Sequence, residues 1–80
     1  MYFVYILYSE TLDKYYIGST ANVEKRLEKH LQKHSGFTAR AKDWKVVFTE
    51  EFSTKQEAAA REKTIKSWKN RSMIDKLIKV

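Results

Sequence analysis

Eighty residues, 42% of them apolar and none of them cysteine, allow one small domain with a thin margin of stability. A chain this short buries only ~60% of its unfolded surface, and neither disulfides nor a thiolate zinc site can make up the deficit here. The formal charge of +6 points toward a polyanionic partner, with nucleic acid ranked ahead of a merely solubilising surface.

Without cysteine, the core must rest on the apolar residues, especially the eleven aromatics. No run approaches the ~20 apolar residues of a membrane span. The start, Met1-Tyr2-Phe3, lacks the basic segment of a signal peptide. A cytoplasmic protein with no membrane partner is therefore expected. No linker, repeat or low-complexity stretch divides residues 1–80, so a single domain is expected as well.

Tyr2 to Tyr8 is uncharged and rich in aromatic and β-branched residues, which predicts a buried strand. Ser9 and Asp13 carry turn chemistry, and Lys14 to Ser19 predicts a second strand ending at Gly18-Ser19, the pair forming a hairpin. Asn22 is placed to cap a helix whose Val23, Leu27 and Leu31 recur at helical spacing to about His34, where Ser35-Gly36 stops it.

A polar, basic loop follows. The third strand, Trp44 to Phe52, alternates Trp44, Val46, Phe48 and Glu50 against Lys45, Val47, Thr49 and Glu51. Thr54 and Glu57 have the spacing of a capping box opening a helix to about Trp68. Asn70 to Ser72 reads as a break, and Met73, Ile74, Leu77 and Ile78 as a last short helix closing over the core. The expected fold is α+β: a small three-stranded antiparallel sheet packed with helices, in the order β-β-α-β-α-α.

Several residues are placed for chemistry. Glu62 shares the stripe of Ala58 and Ile65, where a carboxylate is costly unless it is paired. An ion pair with Arg26 and a hard divalent metal answer that cost equally well. Arg26 and His30 stand four apart, so they project from one side of the first helix. Together they suit a phosphate and a proton transfer, although a solvated helix face with Glu24, Lys25, Glu28 and Lys29 has the same pattern. Tyr5 and Tyr16, one on each hairpin strand, read singly as ordinary sheet residues. Phe37, Thr38, Arg40, Lys42 and Lys45 mix cations with an aromatic in one segment, as suits phosphate contact and base stacking.

The combination carries more than its parts. Phe3-Val4-Tyr5, Tyr16-Ile17-Gly18, Arg26 with His30, and Arg61-Glu62 with Ile65-Lys66 resemble, in order and spacing, the GIY-YIG nucleases, especially their small stand-alone members. The likeness spans Tyr2 to about Trp68. Phe3 stands where the first tripeptide of the family has glycine, and Asn70 is too close to Glu62 to match the asparagine that many members carry further on.

The resemblance implies an endonuclease acting on phosphodiesters, with a place in DNA repair or recombination. It implies Tyr5, Tyr16, Arg26, His30 and Glu62 as catalytic residues and Glu62 as the ligand of Mg2+, with Mn2+ able to substitute. The general base would be a tyrosine, Tyr5 ahead of Tyr16, with Tyr16 or His30 aiding proton transfer. Arg26, the metal and Lys14 would supply the positive charge that lowers its pKa. The expected partner is nucleic acid, DNA ahead of RNA, with a homodimer or a partner protein for targeting. The competing expectation is a nucleic-acid-binding module whose catalysis is weak or lost.

Overall fold

The computed structural model describes residues 1–32, 36–68 and 70–79. Strands β1 (Tyr2–Ser9) and β2 (Lys14–Thr20) are followed by helix α1 (Val23–Gln32), a 3-10 turn (Phe37–Arg40), strand β3 (Lys45–Phe52) and helices α2 (Lys55–Ser67) and α3 (Arg71–Ile78). The sheet is antiparallel throughout, in the order β2-β1-β3. The fold is α+β, with elements in the expected order.

β1 is central, and the uncharged run predicted as a buried strand is covered on both faces. Val4 and Ile6 pack with Ala58 and Ile65 of α2 and Ile74 of α3. Tyr5 and Leu7 point the other way, with Ala41, Trp44 and the Val23-Leu27-Leu31 stripe of α1. Period-two alternation thus feeds two cores from one strand.

The hairpin turn is built by Asp13, whose φ of 53° lies in the left-handed region that Asp tolerates better than most residues. Its carboxylate accepts from the Tyr8 hydroxyl and from Arg71, both at 2.6 Å, so the turn is also pinned to α3. On the other side of the turn, Asp43 accepts from the Ser9 hydroxyl (2.6 Å) and from the backbone N–H and hydroxyl of Thr11.

The predicted caps form. Asn22 Oδ1 accepts from the Lys25 N–H at 3.1 Å, and Thr54 and Glu57 complete a reciprocal capping box. The expected end of the first helix at His34 and Ser35 lies outside the described residues.

The structure departs from the expected layout at several places. β2 runs on to Thr20, so Gly18 is an interior strand residue paired with Tyr5 rather than a strand end. β3 begins at Lys45, and a bulge beside Ile6/Leu7 breaks its alternation. Phe48 pairs with Ile6 and Val46 with Leu7, so the two fall on opposite faces. α3 starts within the expected break, because the Asn70 side chain caps it by accepting from the Ser72 N–H at 3.0 Å. Ile74, Leu77 and Ile78 then close over the core as expected, while Met73 is exposed. The basic loop contains a 3-10 turn. Among the described residues, no helix is long and apolar enough to cross a membrane.

Candidate active site

Register sets the first part of the site. Tyr5 pairs with Gly18, and a Cβ on Gly18 would stand 2.5 Å from the Tyr5 hydroxyl oxygen and 2.6 Å from its ring carbon Cζ. The missing side chain is therefore what lets the Tyr5 ring lie along β2. Gly18 is thus not a strand-end turn: it lies inside β2, and the Tyr5 ring fills the space its side chain would take.

The ring is 1% exposed, and its hydroxyl lies 2.9 Å from Nε2 of an equally buried His30. Nδ1 of His30 lies 3.2 Å from Oγ1 of Thr38, itself buried, and the Thr38 carbonyl accepts from the Trp44 indole at 2.9 Å. With Tyr5 donating to Nε2, His30 carries its proton on Nδ1 and donates to Thr38. The Tyr16 ring stands edge-on to His30 with centroids 4.7 Å apart, and 6.4 Å from Tyr5. His30 is thus drawn into the core rather than standing on a solvated helix face.

The second part lies across β2. Ser19, paired with Val4, faces α2 and donates its hydroxyl to Glu62 Oε1 at 2.6 Å. Lys66, one turn further along α2, places its ammonium 2.6 Å from Glu62 Oε2. These contacts, rather than an ion pair with Arg26, one of the two answers expected, meet the cost of the carboxylate, which sits at the margin of the core with 22% of its side chain exposed. Burial alone would raise the Glu62 carboxyl. Hydrogen bonds from Lys66 and Ser19, backed by the charges of Lys66 and Arg26, hold it below its ordinary value.

Arg26 links the two parts electrostatically. Burial pushes the Tyr5 hydroxyl above its ordinary pKa of 10.0, a hydrogen bond and charge from Arg26 oppose the rise, and Tyr16 and Glu62 add to it. Tyr5 is therefore a neutral donor at pH 7, and its proton needs an acceptor before it can serve as a base. His30 is that neighbour.

For a metal, Glu62 offers oxygen only, and Ser19 and Lys66 take one lone pair on each carboxylate oxygen, leaving about two open. No cluster of three or more potential ligands occurs among the described residues. One carboxylate with open lone pairs suits an ion such as Mg2+, which keeps several waters and shares substrate phosphates.

The segment anticipated to meet nucleic acid is partly occupied in the fold. Thr38 is buried against His30, and the Lys42 ammonium donates to the Leu31 carbonyl at 2.9 Å. Arg40 and Lys45 are exposed, and the Phe37 side chain lies outside the described residues. Lys14 lines a separate groove with Asp13, Tyr15, Trp68 and Arg71.

Ser19 and Lys66 were not singled out by sequence reasoning for any role, although each had a signal. Lys66 stands four residues after Glu62, and strand parity puts Ser19 on the face of Tyr15 and Ile17. Neither the curated proteins nor the solved structures contain a match. Residues 1–76 match the family model of the GIY-YIG catalytic domain, and the chain belongs to that family of nucleases.

Proposed function

We propose that this chain is a metal-dependent endonuclease hydrolysing phosphodiester bonds in nucleic acid, DNA ahead of RNA, in repair or recombination. The observation that carries the reading is the buried Tyr5–His30 hydrogen bond beside Arg26, with the Glu62 carboxylate across the same strand. A buried histidine with a partner on each ring nitrogen, one of them Tyr5, is the arrangement a proton relay needs. Residues 1–80 act as one domain, in the cytoplasm.

In this reading Arg26 clamps the phosphate with its forked donors. Tyr5 accepts the proton of the attacking water as it passes its own to His30 Nε2, and Thr38 keeps the imidazole oriented. Tyr16 braces the same ring. Glu62 would hold the divalent ion, Mg2+ or Mn2+, whose chemistry there would be to stabilise the negative charge that develops during hydrolysis. Cutting both strands of a duplex with one such site requires a homodimer, a partner protein or two visits.

The Lys66–Glu62 contact favours a second reading, a nucleic-acid-binding module in which Glu62 is structural. Comparing wild type with Glu62→Ala, with and without EDTA, on plasmid, single-stranded and branched substrates decides between them. Cleavage lost both in EDTA and in the variant supports the nuclease. If both proteins bind nucleic acid equally and neither cuts, the binding module stands.

A further inference from the structure

One groove next to the site differs in charge from its neighbours. It has a volume of about 210 Å³ and is lined by Thr20, Ala21, Asn22, Lys25, Arg26 and Lys29. No carboxylate lines it, and Glu24 and Glu28 of α1 are not among its walls. Lys25 and Lys29 are exposed, and among the described residues neither forms an ion pair.

Two other grooves among the described residues lack this character. In the one holding Lys14 and Arg71, the Arg71 guanidinium is matched by Asp13 at 2.6 Å. The one beside Phe3 contains Glu24 and no cation.

We propose that the Lys25–Arg26–Lys29 groove seats the nucleic-acid backbone flanking the scissile phosphate, so that the substrate strand leaves the site along α1. Arg26 belongs to both places: it lines the groove and acts on Tyr5 and Glu62. A phosphate held by Arg26 therefore has its neighbour in the groove. Lys25 and Lys29 are one helical turn apart, about 6 Å along the axis, close to the step between adjacent phosphates of one strand. Small walls at Thr20 and Ala21 leave space for the sugar.

Asn22 contributes by capping the helix through the Lys25 N–H, which fixes the first turn and the direction of both lysines. The inference rests on the nuclease reading and adds to it a path for the substrate. That path differs from the Arg40–Lys45 segment, although both are basic.

The test is binding of single-stranded and duplex oligonucleotides by fluorescence anisotropy in EDTA, where cleavage is off, across a range of salt. The Lys25→Ala/Lys29→Ala protein is compared with wild type and with Arg40→Ala/Lys45→Ala. All four side chains are exposed, and alanine is a strong helix former at Lys25 and Lys29; circular dichroism checks that both variants keep the fold.

Losing two phosphate contacts lowers the slope of log affinity against log salt by about 1.4 for single strands and 1.8 for duplex. That fall in the Lys25/Lys29 protein, with a smaller one in the Arg40/Lys45 protein, supports the groove. An unchanged slope, or the larger fall in the Arg40/Lys45 protein, overturns it. If wild type cuts while the Lys25/Lys29 slope stays put, only the path is wrong. If wild type neither binds nor cuts, the nuclease reading falls with it.

Discussion

Replacing Gly18 with alanine sets two effects of opposite sign against each other. Its φ does not lie in the left-handed region, so alanine is conformationally allowed. Chain entropy favours the substitution by about 0.5–1 kcal/mol, the usual penalty of glycine inside a strand. Packing opposes it: the new methyl would meet Tyr5 Oη at 2.5 Å, Cζ at 2.6 Å and Cε1 at 3.0 Å. The ring cannot swing aside, since it is 1% exposed, ends on His30 and grows from the central strand.

Overfilling a packed core costs about 1–3 kcal/mol, so packing wins and Gly18→Ala loses about 1–2 kcal/mol net. For a chain of this size that lowers the melting temperature by about 5–15 °C. Pushing the hydroxyl off His30 also reduces cleavage at least about tenfold, because a displacement near 1 Å costs about a hundredfold. Thermal melts by circular dichroism and single-turnover cleavage measure both effects. A double-mutant cycle with Tyr5→Phe should show coupling of at least about 0.5 kcal/mol. A Gly18→Ala protein that melts at or above wild type with full activity would refute the steric argument.

Tyr5→Phe should lower cleavage by about 10²–10⁴-fold at unchanged nucleic-acid affinity, and a smaller loss would remove Tyr5 from the proton path. A free tyrosinate base would keep the wild-type rate climbing through pH 10, whereas a rate that levels off below that value supports proton transfer from Tyr5 to a neighbour. Because the folded pKa of Tyr5 is raised, its contribution to stability is complete below pH 10 and is lost as the pH rises past that value, which alkaline melts can follow. Lys66→Met should tighten Mn2+ binding, read directly by electron paramagnetic resonance, at least about twofold, the worth of one i,i+4 ion pair; weaker binding would make Lys66 a helper of the metal site instead. Hydrogen bonds from Ser9 and Thr11 hold Asp43 at a pKa of about 2, so its stabilising effect is present above 3.8 and disappears as the pH falls toward 2. Asp43→Asn should therefore melt lower at pH 7 and lose less on acidification, and parallel acid profiles would contradict this.

Local pattern was enough for much of the fold. The uncharged run of Tyr2–Tyr8, the Val23-Leu27-Leu31 stripe and the Thr54/Glu57 box act over a few residues, and each formed where its spacing put it. The family motif was legible because it is a set of short words in fixed order. Errors arose where a partner distant in sequence took control. The β3 alternation failed at a bulge set by pairing with β1, and Asn70 became a cap once α3 had a core to cover.

The site divides in the same way. Its residue types at Tyr5, Arg26, His30 and Glu62 were readable from the chain, but their states were not. Strand register made Gly18 a slot for Tyr5. The packing of α1 and the 3-10 turn against the sheet buried His30 between Tyr5 and Thr38, and β2 against α2 gave Glu62 its Ser19 partner, whereas Lys66 came from its own helix. Burial, hydrogen bonding and the pKa shifts that follow depend on groups brought together across 8 to 43 positions, and only the folded chain supplies those distances.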